Sequence, residues 1–391
     1  MRRTAWLQET RMARFEEAYE GWTERQLTQE EAARLLGVCD RTFRRWLDRY
    51  QEEGLEGLRD KRLTQASRRG APVDEVLALV DRYRTGHRGW TVQHFYTWYR
   101  RDGGGRSYTW VKTRLQAAGL VPRAPRRGAH RKPRAAAPWP GMLLHQDGSR
   151  HEWVPGQLWD LIVTMDDATN EHDSMFFCEE EGTWSSFRGI REVLAEKGVF
   201  CSLYTDRGSH YWHTPVAGGQ VDKRTPTQFG RAMAQLGIEL IPAYSPEARG
   251  RSERAFRTHQ DRLVKELAAA GITDMARATA YLRHHYRPAF NAEFARPPRE
   301  ACSAFVASPE AGRLDAILCE QHTRRVGHDN CVRFHRRVLQ IPPDRYRCHY
   351  VKVTVTVLYP PDWIAIRHGP RELARYDATG KLLPEARKAA A

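Results

Sequence analysis

Residues 202–210 read Ser202-Leu-Tyr-Thr-Asp206-Arg-Gly-Ser-His210. The pattern predicts a short strand, Ser202–Asp206, that ends on an acid and turns through Gly208 and Ser209. On both sides of it the apolar period lengthens. Trp184–Lys197 before it and Gln228–Leu236 after it carry apolar residues at helical spacing, and a second strand pattern follows at Ile238–Ala243. Strands separated by helices must cross over, which requires parallel pairing. Farther upstream, Leu143–Asp147, Leu158–Met165 and Ser174–Cys178 read as strands joined by short links, which predicts an antiparallel meander. A long helical pattern, Glu247–Ala270, closes the region. Residues 141–271 are therefore expected to form a five-stranded mixed sheet with helices on its faces, an α/β layer architecture.

The whole chain is multidomain, α plus α/β plus β, as 391 residues exceed what one core usually organises. Residues 1–60 read as a helix-turn-helix domain. Thr28 and Glu31 form a capping-box pattern, Ala32, Leu35 and Leu36 follow at helical spacing, and Gly37 supplies a turn. Asp40 is positioned to cap a second helix with Phe43, Trp46, Leu47 and Tyr50 on its buried side. Its other side carries Arg41, Arg44, Arg45 and Arg49, which suits entry into a major groove. Residues 61–121 resemble a second helix-turn-helix, with Ser107 capping a helix Tyr108–Ala118 that displays Lys112 and Arg114. Residues 122–140 form a basic, proline-rich linker in which Arg126, Arg127, Arg131 and Lys132 can track a phosphate backbone. Residues 272–325 read as a helical connector. Residues 326–391 turn to strands, with alternation through Val351–Leu358, and a small β-barrel is expected.

Charge points the same way. The net charge is +15, and residues 61–140 hold 18 Lys and Arg against 4 Asp and Glu, a net of +14. Positive charge so concentrated suits a polyanion, and double-stranded DNA is the expected partner. No apolar run is long enough for a membrane span, and the N-terminal residues lack the apolar core of a signal peptide. Seven scattered cysteines without a Cys-x-x-Cys fit a reduced, cytoplasmic and nucleoid-associated protein with no structural zinc.

Three acids carry the chemistry. Asp147 and Asp206 end the first and fourth predicted strands, which this topology makes neighbours, and each is followed by a Gly-Ser pair, directly or after one residue. Glu253, in Ser245-Pro-Glu-Ala-Arg-Gly-Arg-Ser-Glu253-Arg, sits about two turns inside the long helix, on the face of Phe256, Arg257 and Gln260. Hard divalent ions take such carboxylates together with substrate phosphate. Arg249, Arg251, Arg254 and Arg257 are placed to neutralise phosphate, with a structural surface role as competitor. Asp166 and Asp167 are rival acids that read as opening the turn after the second strand. Glu179, Glu180 and Glu181 read as a solvated turn, and Glu247 as a dipole-favoured cap. His145, Gln146, Ser149 and His210 flank the acids and serve either packing or the positioning of DNA or water.

The phrases around Asp206 and Glu253, with Thr227-Gln-Phe-Gly-Arg-Ala-Met and Thr258-His-Gln-Asp-Arg-Leu-Val-Lys-Glu-Leu, resemble DDE transposases of the retroviral-integrase superfamily, and within them the ISNCY group of bacterial insertion-sequence transposases. The resemblance implies an RNase H-like catalytic domain and two Mg²⁺ or Mn²⁺ ions, with Asp147 shared between them and Asp206 and Glu253 holding one each. It also implies a homodimer or higher multimer on transposon ends, which cleaves to expose 3′-hydroxyls and joins them to target DNA. A nuclease of the same fold that does not join, or a DNA-binding regulator with an inactive catalytic domain, are the alternatives. Two departures stand out: residues 212–227 lengthen the interval between Asp206 and Glu253, and no zinc-binding His/Cys domain precedes the core.

Overall fold

The structure, a computed structural model, describes residues 2–59, 70–123, 135–216, 219–244 and 246–384, with side chains described outside 2–7 and 246–249. The chain divides into two compact units, Met1–Gly86 and His87–Ala391.

The first unit opens with α1 (Arg2–Thr23), followed by α2 (Gln29–Leu35), α3 (Asp40–Glu53) and α4 (Val73–Gly86). The capping box forms as expected: Glu31 N–H donates to Thr28 Oγ1 (3.3 Å) and Thr28 N–H to the Glu31 carboxylate (2.9 Å). At α3 the expectation is corrected. Cys39 is the N-cap, its thiol 3.2 Å from the Thr42 hydroxyl rather than capping a backbone N–H, and Asp40 is the first helical residue, its charge next to the positive helix end. Phe43 and Leu47 pack with Phe15, Ala18, Ala32 and Ala33. Leu35 does not join them, because α2 ends there and Leu36 takes the inward position.

The second unit begins with α5 (Val92–Arg101) and α6 (Tyr108–Ala117) and continues into the central sheet. Its strands are β1 (Leu143–Val154), β2 (Gln157–Asp166), β3 (His172–Cys178), β4 (Ser202–Thr205) and β5 (Glu239–Pro242), in the order β3-β2-β1-β4-β5. The first three pair antiparallel and β4 and β5 join in parallel, the mixed topology the sequence implies. Most strand ends shift by one or two residues, and the largest difference is at β1. β1 runs straight through Gly148 and Ser149, because β2 pairs with it from Asp166 to Gln157 and the turn comes only at Pro155-Gly156, where Gly156 takes φ 78°.

Helices α7 (Thr183–Glu196) and α8 (Gln228–Leu236) cover one face, burying Phe187, Ile190, Phe229 and Met233 against Leu144 and Leu203. On the other face, α9 (Pro246–Ala269), α10 (Met275–Tyr281), a π-helical turn and α11 (Arg287–Phe294) bury Phe256, Leu263, Leu282 and Phe290 against Trp153, Leu161, Val163 and Phe177. α5 is tied to this layer: His94 Nε2 lies 3.0 Å from Glu266, and Thr97 donates to Glu293 (3.1 Å), which also receives Arg262. The boundary between the two units thus falls inside the expected second helix-turn-helix domain.

After α12 (Ala311–Ile317) come β6 (Glu320–Arg325), β7 (Cys331–Phe334), β8 (Arg337–Gln340), β9 (Thr354–Tyr359), β10 (Trp363–His368) and β11 (Arg371–Asp377). The expected barrel does not form. β6 and β9–β11 make a four-stranded sheet, while β7 and β8 pair only with each other, so no strand among the described residues closes the ring. Both sheets share a core of Val332, Phe334, Leu339, Val357 and Ile364. The seven cysteines are unpaired, and no helix among the described residues is long and apolar enough to cross a membrane.

Candidate active site

The site lies where β4 leaves β1. The parallel register runs Leu143↔Ser202, Leu144↔Leu203, His145↔Tyr204, and then β4 stops at Thr205. Continuing that register by two residues sets Asp147 opposite Asp206. Strand alternation gives both acids the face of His145, Tyr204 and Val163, which is the face covered by α9. Asp147 is therefore in mid-strand rather than at a strand end, buried at 6% exposure, at the fork that the shorter neighbour opens. Ligand crevices in open α/β sheets form at such switch points. The following backbone turns onto each acid: Gly148 N–H donates to Asp147 Oδ1 (3.1 Å) and Gly208 N–H to Asp206 Oδ1 (2.8 Å).

Helix α9 is fastened over the same strand at two levels. Gln260 donates to Ser149 Oγ (3.0 Å). Nine residues earlier, Arg251 donates to the Asp167 carbonyl (2.6 Å) and its Nε lies 3.3 Å from Asp167 Oδ1, which is itself 2.8 Å from His145 Nε2. Asp147 lies between His145 and Ser149 on β1, and Glu253 between Arg251 and Gln260 on α9. Glu253 itself is exposed. Arg251, read from sequence as a phosphate neutraliser, is engaged in this internal network. Burial alone would raise the Asp167 carboxyl; hydrogen bonds from His145 and Ala137 N–H, with the charges of His145 and Arg251, override it and hold the group below its usual range. Asp166 is structural too. Its Oδ1 accepts from Ala168 and Thr169 N–H, and its Oδ2 from Gly141 N–H (2.7 Å). Both acids open the turn to β3 as expected, but as buried anchors rather than solvated ends.

A second group of side chains borders the fork from the α7 side, and sequence reasoning missed its centre. Glu181, just before α7, is not a solvated turn residue. Its N–H donates to the buried Asp160 (2.7 Å), and its carboxylate presses on β1 so closely that a Cβ on Gly148 would meet Oε2 at 2.2 Å. Tyr211 Oη donates to Gln146 Oε1 (3.1 Å) and lies 3.4 Å from Glu181 Oε1, and His210 Nε2 is 3.5 Å from the same oxygen. Burial pushes the Tyr211 hydroxyl far up, and the charges of Glu181, Asp147 and Asp206 push it further. Only the Gly148-to-Glu181 fit could have disclosed this group, and it joins residues 33 positions apart.

Asp147 thus lies two residues past the last residue of β1 paired with β4, Asp206 just past the end of β4 beside it, and Glu253 on α9, the helix over that face. Among the described residues, no three of His, Cys, Asp and Glu gather closely enough to hold a metal ion. Of the remaining basic candidates, Arg41, Arg44, Arg45 and Arg49 are exposed along α3. Lys112 is half-buried on α6. Arg257 is exposed, and exposed Arg254 donates to the Gly250 carbonyl (2.7 Å). Arg126, Arg127, Arg131 and Lys132 lie outside the described residues, as does the side chain of Arg249. In the interval 212–227, Arg207 reaches across to the Gly219 carbonyl (2.9 Å) and stacks 5.3 Å from the Tyr244 ring centroid, and His213 bridges to Asp222.

Comparison with known proteins agrees with this anatomy. A family model described as a winged helix-turn helix matches residues 17–72. A putative transposase, y4bF, of Sinorhizobium fredii (strain NBRC 101917 / NGR234) is 31% identical over 326 residues, covering 81% of this chain and 69% of that protein. The transposase for insertion sequence IS1202 of Streptococcus pneumoniae is 28% identical over 197 residues, covering 50% of this chain and 42% of the relative. Among solved structures, a simian T-cell lymphotropic virus intasome in complex with a PP2A regulatory subunit aligns over 78% of this chain and 97% of its own, at 15% identity and a TM-score of 0.32, too low to bear on the site.

Proposed function

This chain belongs to the transposase family, and on that premise we propose that it is a DDE-type polynucleotidyl transferase that cuts DNA at the ends of its element and joins them to a target. The feature that supports the reading is the fork: Asp147 on β1, Asp206 just past the end of the neighbouring β4, and Glu253 on a helix fastened by Arg251 and Gln260. Asp147, Asp206 and Glu253 are all hard oxygen donors, as Mg²⁺ or Mn²⁺ requires, and the exposure of Glu253 leaves it able to adjust to ions and DNA. Two such ions, held by these three residues, would supply charge stabilisation to both the attacking and the leaving oxygen.

The chain's own groups do the rest. Gly148 and Gly208 N–H fix one oxygen of each aspartate, so the carboxylates meet their substrate in set orientations. Water attacks phosphorus, the bond to the 3′ oxygen breaks, and a 3′-hydroxyl is freed; that hydroxyl then attacks a target phosphodiester in the same manner. Exposed Arg41, Arg44, Arg45 and Arg49 on α3 read the element's ends in the major groove, and the basic residues 126–132 follow the backbone. A dimer or higher multimer holds two ends together. The test is three separate substitutions, Asp147→Asn, Asp206→Asn and Glu253→Gln. Each should abolish Mn²⁺-dependent cleavage while DNA binding and thermal stability persist. A folded variant that still cleaves removes its residue from the triad.

A further inference from the structure

The α7 side of the fork holds polar groups that the three-acid reading leaves unused. His210 Nε2 is buried and makes no hydrogen bond. It is aimed at Glu181 Oε1 at 3.5 Å, an ion-pair separation rather than a bond. The Cε1–Nδ1 edge of the ring faces Gly208: a Cβ built there would lie 3.0 Å from His210 Cε1, 3.2 Å from its Nδ1 and 3.0 Å from Asp206 Oδ1. Glu181 is held from behind. Its N–H is bound by Asp160, its carboxylate fills the space left open at Gly148, and the buried Tyr211 hydroxyl stands 3.4 Å away. Gly148 directly follows Asp147. Glu181 thus faces one edge of the His210 ring, and Gly208, whose N–H is bound by Asp206, faces the other.

We propose that His210, oriented by Glu181 at Nε2, is a positioning residue for the attacking oxygen, first water and then the 3′-hydroxyl, which it holds in line by a hydrogen bond at Nδ1, the nitrogen on the Gly208 edge of the ring. The proposal rests on the active-site reading above. It explains why residue 148 lacks a side chain: any Cβ there would displace the Glu181 carboxylate.

The test uses the full chain, supercoiled plasmid and Mn²⁺, with water and glycerol as competing nucleophiles. In the glycerol reaction the alcohol oxygen bonds to phosphorus as the bond to the 3′ oxygen breaks. The alcohol proton passes to solvent, the 3′ oxygen takes one up, and glycerol remains on the 5′-phosphate. His210→Ala and Glu181→Ala should slow nicking roughly 10- to 100-fold, with plasmid affinity within about twofold, and should shift the water-to-glycerol ratio by about threefold or more. His210→Gln, which keeps a donor, should recover part of the rate. Gly148→Ala should reproduce the Glu181 phenotype without touching Glu181 chemistry. A merely structural pair would leave the nucleophile ratio unchanged. The near-isosteric Glu181→Gln and His210→Gln guard against loss of fold. Nicking by folded His210→Ala at the wild-type rate and ratio, with Asp206→Asn inactive, overturns the positioning pair alone. Nicking by Asp206→Asn at the wild-type rate overturns the active-site reading and the pair with it.

Discussion

Substituting Asp167 by Asn probes the joint that fastens α9 to the sheet. The carboxylate is fully buried and meets His145 Nε2 at 2.8 Å, Ala137 N–H at 2.7 Å and Arg251 Nε at 3.3 Å. Asn keeps the shape and one acceptor, but it removes the buried charge that faces the Arg251 guanidinium, itself 14% exposed. Removing one member of a buried pair costs about 3–5 kcal/mol, and the retained acceptor puts this case near 3 kcal/mol. The midpoint of thermal unfolding should fall by roughly 5–10 °C. The pH dependence has a definite sign. A carboxyl held below its ordinary range stabilises the fold above that range and loses the contribution as pH falls through the depressed value. The gap between wild type and variant should therefore be constant from about pH 6 to 8 and shrink below about pH 4. Cleavage should fall more than stability does, because Glu253 is two residues from Arg251 and an error of about 1 Å there costs roughly 100-fold in rate. Calorimetry and a nicking assay on the same preparation check both. A variant that unfolds within about 1 °C of wild type at pH 7 and cleaves at full rate refutes the argument.

On α3, Arg44→Ala should weaken specific binding to the element's ends roughly 5- to 150-fold and leave binding to unrelated DNA nearly unchanged, as footprinting would record. Arg126→Ala with Arg127→Ala should instead lower affinity for every sequence alike and flatten the salt dependence. Asp173 is buried, its Oδ2 has no hydrogen-bond partner, and burial pushes its carboxyl up to about 8 despite Lys197 at 4.0 Å. A raised carboxyl makes the fold most stable below the unfolded value near 4 and costs stability as pH rises to about 8. Asp173→Asn should therefore gain on the order of 2–4 kcal/mol at pH 8 and almost nothing at pH 4; a loss of stability at pH 8 would contradict it.

The parts of the fold legible in the sequence were those written locally. Thr28 and Glu31 meet across three positions, so their capping box is visible in the letters themselves. The meander and the parallel crossovers followed from link lengths, and with them the pairing of the first and fourth strands. Gly148 and Ser149 misled because a Gly-Ser pair reads as a turn, whereas here the glycine makes room for a carboxylate arriving from another element. Arg251 looked like a DNA contact because nothing near it in sequence reveals Asp167, 84 positions away. The docking of α5 hid for the same reason, since His94 and Thr97 find Glu266 and Glu293 at separations of 172 and 196 residues. The barrel expectation failed on closure, which strand patterns do not encode.

The central claim is that the fork acts on DNA by joining as well as cutting. A duplex carrying the element's terminus, already cut to expose its 3′-hydroxyl and labelled on that strand, should be mixed with the full-length protein, Mn²⁺ and a plasmid target. The account predicts labelled strands covalently joined to plasmid, absent when Asp147, Asp206 or Glu253 is replaced by its amide. Plasmid that is cut but never labelled, or joining that persists in folded Asp206→Asn, would contradict it.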